Sequence, residues 1–434
     1  MARVVVVGGG YGGLASAARL AKLGHDVTLL EAGTRLGGAL GLVEQDGFRW
    51  DTGPTHTLLP AVLRDLFRKS GRPLEKEVDL VPVEPIARHV FDDGTVLDLP
   101  GGSRAAQIGA LDAAIGPGTG AQWAAYVDAF ADDWAALRRD WLERPFSPLH
   151  ASKHTTALLS SRMTMDKLVR KTFKDERLRR LAAHPALLEG HDPRKVPAWL
   201  GMWTYVEQNF GARTIPGGMG SLADTLAARL RTRGVNVVLS TAALDLELTA
   251  GRVAGVRTEH DVVAADHVVC AIDPRRLPAL APFVARTVPV TPPVTCHIGV
   301  VGEVPDLPHE VVLHGDPLVV LRTGGQAPEG AHAWTLLGRG LFADDIVVTL
   351  ERAGIRVRGQ VEIRLDRSPS DQVERWGGSP YGVAWQGRHT ITRRLGPRTP
   401  LPGVLAAGAH ATPGAGLPSV GLSAALVAQV IGPA

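Results

Sequence analysis

Arg3-Val4-Val5-Val6-Val7 runs directly into Gly8-Gly9-Gly10-Tyr11-Gly12-Gly13, and no other stretch limits the fold as tightly. A helical pattern follows from Leu14 to Leu23. Gly24 stops it, and a second short strand, Val27-Thr28-Leu29-Leu30, ends on Glu31. A strand, glycine turn, helix and strand that close on an acid predict a dinucleotide cradle within a parallel sheet. Gly8 permits a tight turn off the strand. Gly10 lets the backbone approach a pyrophosphate, with Gly12 on the same turn, and Gly13 lets the helix sit close on the sheet. The helix N-terminus offers free N–H groups and a positive dipole end to the phosphates. Glu31 follows Gly10 by about 20 residues, the place for a carboxylate that binds ribose hydroxyls. An ordinary strand–helix–strand turn would leave Glu31 without a role.

Ala32-Gly33-Thr34-Arg35-Leu36-Gly37-Gly38 comes next. Arg35 brings a cation, and Gly37 and Gly38 bring bare backbone N–H groups, to the same pyrophosphate. Then follows Gly47-Phe48-Arg49-Trp50-Asp51-Thr52-Gly53-Pro54-Thr55-His56. In these residues the chain resembles the phytoene desaturase family of flavoproteins, within the flavin amine oxidase superfamily. That family carries the glycine fingerprint, an E-x-x-x-R-x-G-G continuation and a G-F-x-x-D-x-G-P segment. The resemblance implies FAD as the cofactor, with the Gly53-Pro54 loop approaching the flavin ring. It further implies that Ala243 passes its backbone against the adenine. The strand Asp266 to Pro274, with Ala271, would run into the flavin region.

Near the far end, Gly403 to Ala409 reads as a strand ending in a glycine turn at Gly408. Pro413 to Gly421 opens a final helix, expected over 420–431. The family's motif here is G-A-G-x-H-P-G-x-G-x-P. This chain has Thr412 where that histidine stands, with His410 two positions earlier. The implied backbone role remains: a helix N-terminus, with Leu417, Pro418 and Val420, aimed at the pyrimidine end of the flavin.

The implied fold is α/β: a discontinuous Rossmann-like FAD-binding domain of glutathione-reductase type, with an interleaved α+β substrate-binding domain. The expected division assigns 1–75, 213–285 and 386–434 to the FAD-binding domain. It assigns 76–212 and 286–385 to the substrate-binding domain, with a helical part near 121–210. A length of 434 residues suits two such units.

Between the anchors, 60–69 reads as a short helix and Asp93-Gly94 as a hairpin turn. Trp123, Val127, Phe130, Trp134, Leu137 and Trp141 recur at steps of four and three, which predicts one amphipathic helix over 121–142. Its apolar stripe suits a core, a channel wall or a membrane-facing surface. Helices are also expected over 165–182, with a basic face of Lys167, Arg170, Lys171, Lys174, Arg177 and Arg180, and over 197–210. A solvated face explains those charges, and attraction to anionic lipid is the alternative.

The net charge of +3 and the absence of a basic run interleaved with aromatics leave no footprint for nucleic acid. Cys270 and Cys296 lack metal or redox spacing, which fits a reducing compartment. The first strand starts almost at Met1, with no signal peptide before it, and no apolar run is long enough to span a bilayer. The expected location is the cytoplasm, with peripheral membrane contact open and the oligomeric state undetermined.

No general base stands out. His56, Glu207 and Tyr381 are candidates, each set against a plain structural role. His150 and His154 have metal-pair spacing but no third ligand, so no metal is expected. The implied activity is oxidation of a C–C unit in a hydrophobic, polyisoprenoid or carotenoid-type substrate. Hydride goes to the flavin, a proton leaves the neighbouring carbon and a double bond forms. An FAD-dependent amine or amino-acid oxidase, or a tailoring oxidase of secondary metabolism, is the alternative. Rab GDP-dissociation inhibitors, which resemble this fold and bind prenylated proteins without a flavin, are a minor one. Retention of Glu31, Arg35, Gly37 and Gly38 argues against them.

Overall fold

Val4 and Val6 point to one side of the first strand, Val5 and Val7 to the other, and each side has its own core. Such a strand, apolar on both faces, belongs in the middle of a covered parallel sheet. The computed structural model, which describes residues 1–434, places it there. The sheet has five strands in the order Val404–Ala406, His267–Cys270, Arg3–Val7, Asp26–Leu30 and Asn236–Val238, all parallel. One face packs on the helices Tyr11–Lys22, Ser221–Thr232 and Leu417–Ile431. The other is covered by a three-stranded antiparallel sheet, Asp245–Thr249, Arg252–Arg257 and Val262–Ala264. The chain therefore visits this sheet early, in its middle and near its end.

A second sheet of seven strands runs in the order Val361–Arg367, Val294–Val301, Ala331–Arg339, Leu318–Arg322, Glu310–Leu313, Ala87–Val90 and Val96–Leu99. Its pairings are antiparallel except that of Ala87–Val90 with Glu310–Leu313. A helical layer, residues 104–210, supplies a third core of interlocked aromatics that includes Trp123, Trp141, Trp199 and Trp385. No helix is long and apolar enough to cross a membrane. Both cysteines are buried and free.

Several expected helices are divided. The 121–142 stripe is one buried surface, but it is carried by Thr119–Asp128, Ala131–Leu137 and a π-helical turn, Arg138–Leu142. All six stripe residues lie in the helical-layer core. Apolar spacing survives a short break because the next segment re-enters the same core. The 165–182 helix is two, Met165–Thr172 and Glu176–Leu188, separated where the buried Phe173 takes an extended conformation and Asp175 caps the second helix. Its basic face is partly neutralised: Arg170 pairs with Asp166, Arg177 with Asp175 and Arg180 with Asp92. The 197–210 element begins as a 3-10 turn, Ala198–Gly201, before the helix Met202–Phe210. The first helix starts at Tyr11 and not at Leu14, and the last at Leu417 and not at residue 420.

Candidate active site

Gly10 is the N-cap of the first helix and provides no side-chain cap, and no acid stands in the first turn. The opening N–H groups of a helix have no partner within it, so this end presents donors and a positive dipole to an outside anion. A Cβ built on Gly10 would meet nothing closer than 4.0 Å, which leaves the space in front of the turn open. The remaining glycines make the turn tight. A Cβ on Gly13 would lie 1.8 Å from the Gly8 carbonyl oxygen, and Gly8 itself has φ +103°. These observations fit a dinucleotide pyrophosphate seated at the helix end.

Glu31 closes one side. Its Oε2 accepts the Gly9 N–H at 2.6 Å and its Oε1 accepts the Gly33 N–H at 2.7 Å. Gly37 donates its N–H to the Gly9 carbonyl at 2.9 Å, so it is not the bare donor expected of it but a tie that holds the second glycine pair against the first turn, where a Cβ on Gly38 would approach the Gly10 Cα at 3.0 Å. Ala32 and Arg35 are exposed beside it. The Ser240 and Thr241 N–H groups donate to the Gly33 and Glu31 carbonyls, which brings the segment leading to Ala243 alongside this acid.

The distant residues converge on the other side. Ala271 donates to the Val7 carbonyl, and its own carbonyl lies near both Gly8 and Gly408. A Cβ on Gly12 would stand 2.7 Å from the Gly408 Cα and 3.3 Å from a Val420 methyl. The Gly408 N–H donates to Ser423 Oγ at 2.8 Å, which anchors the turn to the final helix. That helix has Gly416 as an uncapped N-cap, with Leu417 buried and Pro418 in its first turn. Two bare helix N-termini are thus brought together from opposite ends of the chain. His410 turns away from the pair: its Nε2 lies 2.9 Å from the Ser379 carbonyl, and it ties down the loop before Tyr381.

The Gly53-Pro54 loop lies beside a cluster of charged and polar side chains. Gly53 packs so closely that a Cβ would lie 2.2 Å from the Ala39 carbonyl oxygen. The Gly53 carbonyl accepts from Arg322 at 3.2 Å, and Arg322 pairs with Glu310 at 2.9 Å. These two stand directly opposite on adjacent strands. Burial alone would raise the Glu310 carboxyl, but Arg322 and His56 outweigh it and hold the group below its usual range. Burial pushes the His56 pKa down against the opposing pull of Glu310, and its Nδ1 has no partner. The His309 ring lies 6.3 Å away, its pKa driven by burial down to about 4. Glu207 is half-buried, and desolvation with Glu310 nearby pushes it up to about 7. Tyr381 is half-buried under the Arg339 guanidinium, 5.0 Å from its ring centre, and burial raises its hydroxyl pKa. All three candidates therefore fall within the electrostatic reach of Glu310.

The sequence reading missed Asp51, Glu310, Arg322 and Ser423. Asp51 accepts the Met219 and Gly220 N–H groups at 3.0 and 2.7 Å, so the acid of the G-F-x-x-D-x-G-P segment pins the turn before Ser221. Its place in that segment was the available signal. Glu310 and Arg322 show none until the strands are paired. His150 and His154 do not face a common ion: they contact Ser147 and Asp133 respectively.

Residues 11–432 match the family of flavin containing amine oxidoreductases. The chain belongs to that family. Among curated proteins it is 30% identical to hydroxyneurosporene desaturase of Cereibacter sphaeroides, over 99% of this chain and 97% of that one. It is 28% identical to a 4,4'-diapophytoene desaturase of Staphylococcus aureus, over 62% of this chain and 55% of that protein. Solved structures with the same fold include cyclohexylamine oxidase of Brevibacterium oxydans, TM-score 0.68 at 17% identity, covering 99% of this chain and 98% of that one. Putrescine oxidase superposes with TM-score 0.69 at 16% identity, over 99% and 98% of the two chains. Likeness at such identity speaks to the fold alone. The protein is an FAD-dependent oxidoreductase, and the family and the open, uncapped glycine cradle agree on the cofactor.

Proposed function

We propose that this protein desaturates an acyclic, carotenoid-type polyisoprenoid. The observation that carries this reading is the likeness to hydroxyneurosporene desaturase, which extends over nearly the whole of both chains. FAD, when bound, supplies the hydride acceptor, and the protein supplies position, dryness and a destination for the proton.

In this reading Gly8, Gly10, Gly12 and Gly13 receive the pyrophosphate, helped by Arg35 and Gly38, while Gly37 braces the turn through its bond to Gly9. Glu31 takes the ribose, and Ala32 and Ala243 flank the adenine. Gly53, Pro54, Ala271, Gly408, Leu417, Pro418 and Val420 enclose the ring end. The cofactor half comprises 1–75, 213–285 and 386–434, and the substrate half 76–212 and 286–385. Of the three candidate bases, Glu207 combines a half-buried position with a pKa of about 7, the match a proton acceptor needs near neutrality. His56 and Tyr381 belong to the charged cluster around Glu310. A cytoplasmic enzyme that touches a membrane peripherally suits so apolar a substrate, and Lys167, Lys171 and Lys174 are exposed for such contact.

The test is anaerobic mixing of the yellow holoprotein with a hydroxylated acyclic carotenoid, and separately with a primary amine. Bleaching by the carotenoid, with a more conjugated product on chromatography, is the expected result. Bleaching by the amine alone overturns the desaturase reading.

A further inference from the structure

The helical layer contains a cavity of about 500 Å³ lined by none of the residues proposed to hold the flavin. Nine of its thirteen lining residues are apolar, among them Tyr126, Phe130, Leu158, Leu168 and Trp199. Its one charged wall residue, Asp133, is already engaged with His154 at 2.8 Å. Trp199 is 2% exposed, and its indole N–H has no acceptor. Ser161 and Met163 line this cavity and also a second one of about 280 Å³. The second is opposite in character. Arg162, Lys195, Arg388 and His389 line it with the hydroxyl-bearing Ser161 and Thr164, and no carboxylate does. Arg388 is held in place by donating to the Ser160 carbonyl at 2.9 Å. Arg162 and Lys195 are exposed.

An apolar chamber that opens beside a basic one matches a molecule with a long hydrocarbon tail and a compact anionic head. Arg162, Lys195 and Arg388 line this cavity with no carboxylate among its walls, Asp192 standing behind Lys195. They favour a head that carries more than one negative charge, and a phosphate monoester does so at neutral pH, at about −1.5 to −2. Guanidinium groups also suit phosphate oxygens through paired N–H donors. We propose that the two adjoining cavities form a binding site for a long-chain phosphate monoester, with the tail against Phe130 and Trp199 and the head on Arg162, Lys195 and Arg388. No residue that lines the two cavities is among those proposed to hold the flavin, and the proposal does not depend on the substrate named above.

The experiment is calorimetric titration of the flavin-loaded protein with monomeric dodecyl phosphate. Parallel titrations use dodecanol, dodecanoate and inorganic phosphate. Dodecyl phosphate is expected to bind at one site, about tenfold or more tighter than each of the other three. Ala125 is exposed and lines the apolar cavity, so Ala125→Trp fills it without disturbing the core and should weaken dodecyl phosphate by at least about tenfold. Arg162→Glu with Lys195→Glu should weaken dodecyl phosphate by a similar factor and leave dodecanol unchanged. Unchanged flavin absorption reports that each variant is folded. Equal binding of dodecanol or dodecanoate overturns the head assignment. Dodecyl phosphate binding that neither variant weakens overturns the site, as does failure of dodecyl phosphate to bind.

Discussion

Glu31→Ala strips two backbone N–H groups, Gly9 and Gly33, of their acceptor and also removes the proposed ribose ligand. Such losses cost roughly 1–3 kcal/mol each when the groups are shielded from water. FAD affinity should fall by about one to two orders of magnitude, measured by flavin release during dialysis. Unchanged affinity would place the ribose elsewhere. Asp51→Ala is expected to act differently. It leaves the Met219 and Gly220 amides unpaired and should lower unfolding stability by roughly 1–3 kcal/mol, because Asp51 holds a turn and touches no proposed ligand position. Glu31 is legible in the sequence because its distance from the glycines is fixed by one strand and one helix. The function of Asp51 is not, because its partners lie far along the chain.

Glu207 gives a prediction in pH. Its folded pKa rises from 4.5 to about 7, so folding favours the protonated carboxyl. The stability from this group is complete below pH 4.5 and is lost as pH rises through 7. Glu207→Gln should therefore flatten the fall in melting temperature across that window, though Glu189, also raised to about 7, keeps its share. Parallel melting curves for the two proteins would show that Glu207 is ionised in the fold.

Among elements, the first and last helices meet at their N-termini. Gly12→Ala places a methyl 2.7 Å from the Gly408 Cα, and backbone cannot swing aside as a side chain does. Overpacking of this kind costs about 1–3 kcal/mol, and the variant should also shed flavin. Gly109 is the control. It lies in the helix Arg104–Ala114 with nothing within 4 Å of a Cβ, so Gly109→Ala should gain about 0.5–1 kcal/mol. Urea titration of both variants reads the opposite signs. The periodicity of Trp123 to Trp141 located a buried face correctly but not its breaks near Ala129 and Leu137. Apolar spacing reports which side is buried, whereas the break lies in backbone hydrogen bonds that spacing does not encode. The Glu310–Arg322 pair is hidden for a related reason: only strand register sets the two face to face.

For the whole molecule, the cofactor cradle is assembled from three separated passes of the chain through one sheet. A ligand that touches all three binds the folded state and has nothing equivalent to bind in the unfolded one. Free FAD at about a hundred times its dissociation constant should add roughly 2.7 kcal/mol to unfolding stability. Differential scanning fluorimetry of apo and reconstituted protein reads this as a rise in melting temperature. No rise would show that the turns at Gly10 and Gly408 do not act on one ligand. The glycine turn, the acid and the returning segment at Gly408 were all legible in the sequence, and the parallel order of their strands follows from right-handed crossovers. The charged cluster around Glu310 was not, because its members come from separate strands and loops that only the fold brings together.

The meeting of Gly12 with Gly408 also sets an order of events during synthesis. The glycine turn leaves the ribosome early, but the wall that completes it is encoded in residues 404–431. A nascent chain therefore carries an open turn and no closing wall until those residues are made. Flavin capture at this turn therefore waits until residues 404–431 have joined the sheet.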